Sequence, residues 1–356
     1  MSDWSIGINV AVFACSAALV WIAGVHMVRL VDKLATRTGM GQGFAGMLLL
    51  GGIVSLTEIS TVSSAAFTGS PLLAINNLLG SESINLFLLA AVDPLSGREA
   101  LTSFVAKPAM LLQGTLTVAL LAIVAIGMVT GDRLVFGVGI WSTVLLALCL
   151  AALWLSARYE RRKAWVSFEA AEKMATEKNA AGTRVDESAS AARSRDSLWP
   201  LIVKLAGLGA IVFGAGFLLS LAGDALANQS GLGTSFVGFL LVGMSTSLPE
   251  LSTMTAAIRM KRHEMAVGDI LGSNVFNLLL IFLTDAVYRG EPVLNSTGRF
   301  ELVAALLGIV MTSILLVGLL ERRDRTIFGM GYDCAAMILV FIVGVGILYG
   351  LSGESG

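Results

Sequence analysis

Charge is what this chain of 356 residues has least of. Only 14% of its residues are Asp, Glu, Lys or Arg, against about a quarter in an ordinary soluble domain. With 56% hydrophobic residues and a mean hydropathy of +0.82, a water-soluble globule is excluded. The net charge of -1 says little about partners when most of the surface faces lipid, and nucleic acid is not expected as one. The three cysteines, Cys15, Cys149 and Cys334, lie far apart in apolar runs, which excludes a disulfide framework and a thiolate metal cluster. The two histidines, His26 and His263, share no ligand spacing with Cys or Asp, and no resident metal or other cofactor is expected. No basic segment precedes the first apolar run, and that run is long, so it reads as a retained span rather than a cleaved leader. Alternating polar and apolar residues are missing too, which excludes a transmembrane barrel.

What the chain does have is continuous apolar runs, such as Leu101–Thr130, Leu134–Ser156 and Phe300–Leu320. A bilayer core of about 30 Å needs roughly 20 apolar helical residues. The pattern predicts an all-α polytopic membrane protein with ten transmembrane helices, near 5–29, 43–67, 71–92, 103–130, 133–157, 199–226, 234–259, 264–288, 298–320 and 327–350. The lipid bilayer is its surroundings, and a monomer is compatible with the pattern. The one long polar stretch, 157–197, holds nine basic and seven acidic residues. Its first part reads as a helix, with Glu169 and Lys173 one turn apart, and its second part as a flexible polar segment. It divides the chain into a first five-helix half (1–157), a loop (158–198) and a second five-helix half (199–356).

The halves are related. Residue n aligns with residue n+192 without a gap from Asp32 to Asp93, that is, 32–93 with 224–285, and 24 of these 62 positions are identical. The matches include Gly51/Gly243, Ser55/Ser247, Glu58/Glu250, Gly80/Gly272, Ser81/Ser273 and Asn85/Asn277. Polar and glycine matches at fixed spacing mark an internal duplication. An odd number of helices per half inverts the second copy. The charges agree: Arg29, Lys33 and Arg37 precede the first glutamate helix, whereas Arg259, Lys261 and Arg262 follow the second. The positive-inside rule then makes the central loop cytoplasmic and both termini external, in a multi-pass plasma (cell inner) membrane protein. Inverted repeats of this kind typically place a substrate site near the midplane.

Glu58 and Glu250 stand in mid-span, in GGIVSLTEIS and GMSTSLPELS. A carboxylate at the bilayer centre costs about 2.5–3.5 kcal/mol on insertion scales, so it normally faces a cavity or a partner. Two at matched repeat positions point to one shared cation site. Thr246 and Ser247 lie on the Glu250 face, and Pro249 removes a helix donor and frees a carbonyl. On the following helices, Ser81 and Asn85, and likewise Ser273 and Asn277, are four residues apart, with Asn77 and Asp269 one turn back. Their neutral alternative is hydrogen-bonded glue between helices. Beside the glutamates they read as an oxygen cage, and Ca²⁺ takes about 6–8 oxygen ligands.

At GMSTSLPELS and GDILGSNVFNL the chain resembles the cation/Ca²⁺ antiporter superfamily, which includes sodium/calcium and proton/calcium exchangers. The resemblance covers both repeats. It implies ten transmembrane helices in two inverted five-helix repeats, no enzymatic activity, and a central cation site of Glu58, Asn85, Glu250 and Asn277. Ser55, Ser81, Thr246, Ser247 and Ser273 would flank that site. The transported ions would be Ca²⁺ and Na⁺ (or H⁺), with Ca²⁺ leaving the cytoplasm against Na⁺ and the first and sixth helices sliding or rocking against the site-bearing ones; the alternatives are a proton-coupled or other cation exchanger, or a non-transporting membrane protein that reuses the fold. The first repeat departs from the family pattern. Val54 stands where the second copy has Thr246, removing an oxygen. Thr57 replaces the proline and restores a backbone donor, so the first glutamate helix is expected to run unbroken. Glu82 stands opposite Asn274 and is expected to project into or beside the site as a third carboxylate. The central loop has no acidic Ca²⁺-sensing run.

Overall fold

Proline and glycine set the helix boundaries. Pro71 and Pro108 occupy the first turns of their helices, where a missing N–H costs nothing. Gly39, with φ +73°, closes the first helix. The structure, a computed structural model, describes residues 4–97, 100–105, 107–160, 197–228, 236–321, 326–327 and 329–352. The helical and flexible parts expected within 161–196 fall outside those residues.

The described chain is almost entirely helical. The first half contains α1 (Ile6–Thr38), α2 (Gln42–Phe67), α3 (Pro71–Val92), α4 (Pro108–Thr130), a hairpin of β1 (Leu134–Val135) and β2 (Val138–Gly139), and α5 (Ile140–Glu160). The second contains α6 (Trp199–Asn228), α7 (237–259), α8 (His263–Val287), α9 (Arg299–Glu321), a hairpin of β3 (Thr326–Ile327) and β4 (Met330–Gly331), and α10 (Tyr332–Ser352). Among the described residues nine helices are long and apolar enough to cross a bilayer. The remaining expected span, α7, is interrupted and has only Val237–Thr246 as a shorter apolar piece.

Three of the expected spans are corrected. The fourth begins at Pro108 rather than 103, after a separate one-turn helix, Leu101–Phe104. The fifth and tenth begin at Ile140 and Tyr332, because the apolar residues before them form antiparallel hairpins. Phe136 and Gly137 make the first turn, and Gly329 lies in the second. Gly137 and Gly329 have φ of +85° and +79°, which only glycine adopts without strain.

Helices α3 and α8 are the centre of the bundle. In the apolar 18-residue stretch of each, 83% and 78% of residues are buried, against 22% for α1 and 28% for α5 and α10. Exposed apolar side chains such as Trp199, Val317 and Ile342 give the outer helices a lipid face. The broken helix of each half packs on the central helix of the other. A Cβ added to Gly272 of α8 would overlap the carbonyl of Met47 in α2, and one added to Gly80 of α3 would overlap that of Phe239 in α7. Only glycine allows these approaches, and the two contacts are repeat mates.

Two carboxylates tie the halves together in the same symmetric way. Asp93, at the end of α3, accepts from Leu101 N at 2.6 Å and from Gly331 N in the second-half hairpin at 2.7 Å. Asp285, at the end of α8, accepts from Val293 N at 2.9 Å and from Gly139 N in the first-half hairpin at 2.6 Å. All three residue pairs are offset by 192. Asp32 is ion-paired with Arg262 of the second half, Nε to Oδ1 at 2.8 Å.

Candidate functional site

Helices α2 and α7 share an unusual course. Each passes near its start through a π-helical stretch, Gly46–Gly51 and Val237–Val242, continues for one short α-helical piece, and breaks at a serine. Ser55 and Ser247 have ψ of -3° and +3°, far from the α-helical value near -42°. Single π turns are frequent where helices carry function, because they shift the carbonyl pairing. The first copy therefore breaks where the second does, and the expectation of an unbroken α2 is overturned. Proline is not the cause. The wide turn precedes the break in both copies, and Thr57 turns its hydroxyl to within 2.9 Å of Val54 O, beside the break.

Beyond each break a new helix begins with the glutamate in its first turn, Glu58 in Leu56–Phe67 and Glu250 in Leu248–Arg259. Both are fully buried. A helix N-terminus favours negative charge, which helps keep a carboxylate this deep. The two glutamates lie within electrostatic reach of each other, and Asp269 is the other acid within reach of Glu250.

The central helices supply the opposing walls. Gly51 packs against the backbone of Ser273 and Asp269, and Gly243 against Gly80 and Ser81. Ser55 and Glu58 thus run alongside α8, and Ser247 and Glu250 alongside α3. Across the interface, Ser81 Oγ and Thr246 Oγ1 are 3.2 Å apart, and Thr246 lies 3.1 Å from Asn77 Oδ1. Asn85 Nδ2 donates to Asn274 Oδ1 at 3.0 Å, and Asn274 Nδ2 to the Glu82 carbonyl at 3.1 Å. The Thr57 hydroxyl is 2.7 Å from Glu58 Oε2.

A set of oxygens at this junction has no hydrogen-bond partner within the protein: Ser55 Oγ, Glu58 Oε1, Asn85 Oδ1, Ser247 Oγ, both Glu250 oxygens, Asp269 Oδ1 and Ser273 Oγ. Their residues are at most 1% exposed. Buried polar atoms are almost always paired, so such a concentration calls for an occupant, and oxygens of this kind suit a hard cation. Among the described residues no three His, Cys, Asp or Glu side chains converge with metal-holding geometry. Carboxylates diluted by amides and hydroxyls suit an ion that must also leave.

The structure brings eight of the nine sequence-predicted positions to this junction through the contacts and orphaned oxygens above. Asn277, the ninth, is fully buried on the α8 stripe with both polar side-chain atoms unpartnered. Glu82 is placed differently. It is buried without partners, but its Cβ lies 4.0 Å from the Cβ position of Gly308 in α9, and its electrostatic neighbour is Cys149 in α5. These neighbours lie on α9 and α5, while the acid beside Glu250 is Asp269. Sequence reasoning noted Asp269 only as a stripe extension. The identity of Thr61 and Thr253 in the repeat alignment was the overlooked signal, because Thr253 Oγ1 donates to Asp269 Oδ2.

Two interlocked, inverted helical repeats around a buried polar centre define a polytopic membrane protein of the antiporter type. The model of the sodium/calcium exchanger protein family matches residues 8–167 and 199–350, and the chain belongs to that family. It is 34% identical over 140 residues to inner membrane protein YrbG of Escherichia coli, covering 39% of this chain and 42% of that one. It is 30% identical over 103 residues to the putative antiporter CaxA of Alkalimonas amylolytica, covering 28% and 32%. It is 25% identical over 135 residues to the sodium/calcium exchanger MaX1 of Methanosarcina acetivorans, covering 38% of each. The matched stretches span less than half the length of these relatives. The fold also matches the solved sodium-calcium exchanger NCX_Mj with a TM-score of 0.68 at 18% identity, over 96% of this chain and 99% of that one.

Proposed function

We propose that this protein exchanges Ca²⁺ for Na⁺ across the membrane at the junction of the two broken helices. Glu58, Glu250, Asn85 and Asn277 form the centre, and Ser55, Ser81, Thr246, Ser247 and Ser273 flank it. The carrying observation is the group of buried oxygens left without protein partners around two carboxylates on opposed helix starts. One divalent ion or several monovalent ions can neutralise those carboxylates. Ions that compete for one site, with passage favoured only when it is neutralised, give coupled exchange. The family membership and the antiporter and exchanger names of the relatives support the same reading.

The sliding elements in this reading are α1 and α6. They pack on the broken helices through mated glycines: a Cβ on Gly24 would overlap Ser252, and one on Gly216 would overlap Thr57. The Lys and Arg distribution supports a cytoplasmic central loop and external termini. The chain then reads as two membrane halves, 1–157 and 199–356, joined by a loop at 158–198. The test is ⁴⁵Ca²⁺ uptake into proteoliposomes driven separately by Na⁺ and pH gradients. Uptake driven by Na⁺ and lost in Glu58→Gln and Glu250→Gln is expected. Uptake driven only by pH would make H⁺ the coupling ion, and uptake unaffected by either substitution would refute the site.

A further inference from the structure

The two halves of the site are not equivalent, and the difference lies one turn beyond each glutamate. Thr61 and Thr253 are repeat mates, as are Asn77 and Asp269. In the first half Thr61 turns away from the centre and donates to Ser220 of α6 at 2.8 Å. Its would-be partner Asn77 has its oxygen engaged by Thr246. In the second half Thr253, three residues after Glu250 and on the same helix face, donates to Asp269 Oδ2. The second oxygen, Asp269 Oδ1, is fully buried and has no protein partner. Asp269 also begins the α8 stripe that continues through Ser273 and Asn277, both with unpartnered oxygens.

Resting on the exchange reading above, we infer that Asp269 Oδ1 and the Glu250 carboxylate form a second cation subsite, one that takes a monovalent alkali ion beside the central position. The geometry favours two subsites sharing Glu250 over one larger site. Glu250 has Glu58 as one acidic neighbour and Asp269 as another, yet the three carboxylates do not converge on a single point with metal-holding geometry. The Thr253 hydroxyl engages one Asp269 oxygen and leaves the other without a protein partner. A single added carboxylate matches a single positive charge, so the subsite suits Na⁺, K⁺ or Li⁺ better than a divalent ion. No equivalent forms at Glu58, where the mate is the neutral Asn77. The second half of the site thus carries the extra acid that the amides Asn85 and Asn277 do not supply.

The test is the ion dependence of thermal stability of the purified full-length protein, with Na⁺, K⁺, Li⁺ and Ca²⁺ titrated separately against N-methylglucamine. Asp269→Asn installs the residue of the repeat mate. It should raise the half-saturating concentration of the preferred monovalent ion more than about tenfold and that of Ca²⁺ less than about threefold. Thr253→Val should give a smaller shift in the same direction. Should Asp269→Asn not fold, Asp269→Glu serves, and a changed preference order among the three monovalent ions is expected. Unchanged monovalent dependence in the folded variant would overturn the proposal and leave Asp269 a packing residue. Equal weakening of monovalent and divalent binding would also overturn it, by making Asp269 part of one common site. If Glu250→Gln alters neither ion class, it is the exchange site itself that fails; a selective monovalent loss in Asp269→Asn alone separates the two outcomes.

Discussion

Replacing Asp285 by Asn should destabilise the bundle through one identifiable joint. The carboxylate is 1% exposed and accepts two backbone N–H groups, from Gly139 at 2.6 Å and Val293 at 2.9 Å. An Asn amide keeps one acceptor and turns an NH₂ towards the other N–H. A hydrogen bond to a charged group contributes about 1.5–3 kcal/mol, and a buried donor left unpaired costs about 1–3 kcal/mol. Some of this is offset. The Cβ position of Gly139 is crowded by both Asp132 Oδ2 and Asp285 Oδ2, so removing one charge relieves repulsion. A net loss of about 2–4 kcal/mol follows from these terms. Asp93→Asn should behave alike, since Asp93 holds Leu101 N and Gly331 N in the mated geometry and has Asp333 as its charged neighbour. The two joints share no partners, so their effects should add within about 0.5 kcal/mol. Unfolding in mixed detergent–SDS micelles, followed by tryptophan fluorescence, gives the numbers. A change below about 0.5 kcal/mol for either variant, the range of ordinary surface substitutions, would refute the idea that these carboxylates fasten each hairpin to the opposite half.

Glu58→Gln and Glu250→Gln should each remove most Ca²⁺ flux from proteoliposomes while leaving the elution profile of the purified protein unchanged, because a neutral amide cannot balance a divalent ion in a desolvated site. Gly80→Ala and Gly272→Ala should each cost about 1–3 kcal/mol in the same unfolding assay, since the added methyl meets the backbone of Phe239 or Met47 rather than a movable side chain; wild-type stability in both would contradict the close packing of broken on central helices. A cysteine placed within 157–197 should resist an external membrane-impermeant maleimide in intact cells, and a reporter fused after Gly356 should read as external. Labelling of the loop from outside, or a cytoplasmic reporter, would reverse the orientation.

The helical membrane fold and its inversion were legible because both are written in one-dimensional signals. Apolar runs of bilayer length give the spans, and Glu58/Glu250 at a constant offset give the duplication. The hairpins were hidden inside that same signal. Leu134 and Val135 are as apolar as a span, and only the turn at Phe136 and Gly137 distinguishes them. The break in α2 could not be inferred from proline, since Thr57 stands in its place; its origin is a π turn whose residues, Gly46–Gly51, look like ordinary helix. The positions of the two extra acids depended on tertiary packing. Glu82 is three residues from Asn85, and sequence spacing alone aimed it at the site, yet its Cβ lies by Gly308 of α9. Asp269 looked like the start of a stripe and acquires its place only because Thr253 on α7 reaches across to it. The clamps at Asp93 and Asp285 were equally invisible, because their partners are backbone N–H groups in the opposite half.

The most direct measurement is the position of the bound ion itself. Crystals of the protein grown in Na⁺-free lipidic phase and soaked with Ca²⁺ should give one dominant anomalous difference peak at the junction of α2, α3, α7 and α8. Carboxylate oxygens of both Glu58 and Glu250 should lie about 2.3–2.6 Å from it, and replacement with Na⁺ should abolish it. A Ca²⁺ peak elsewhere, or one that contacts neither glutamate at saturating Ca²⁺, would contradict the assignment.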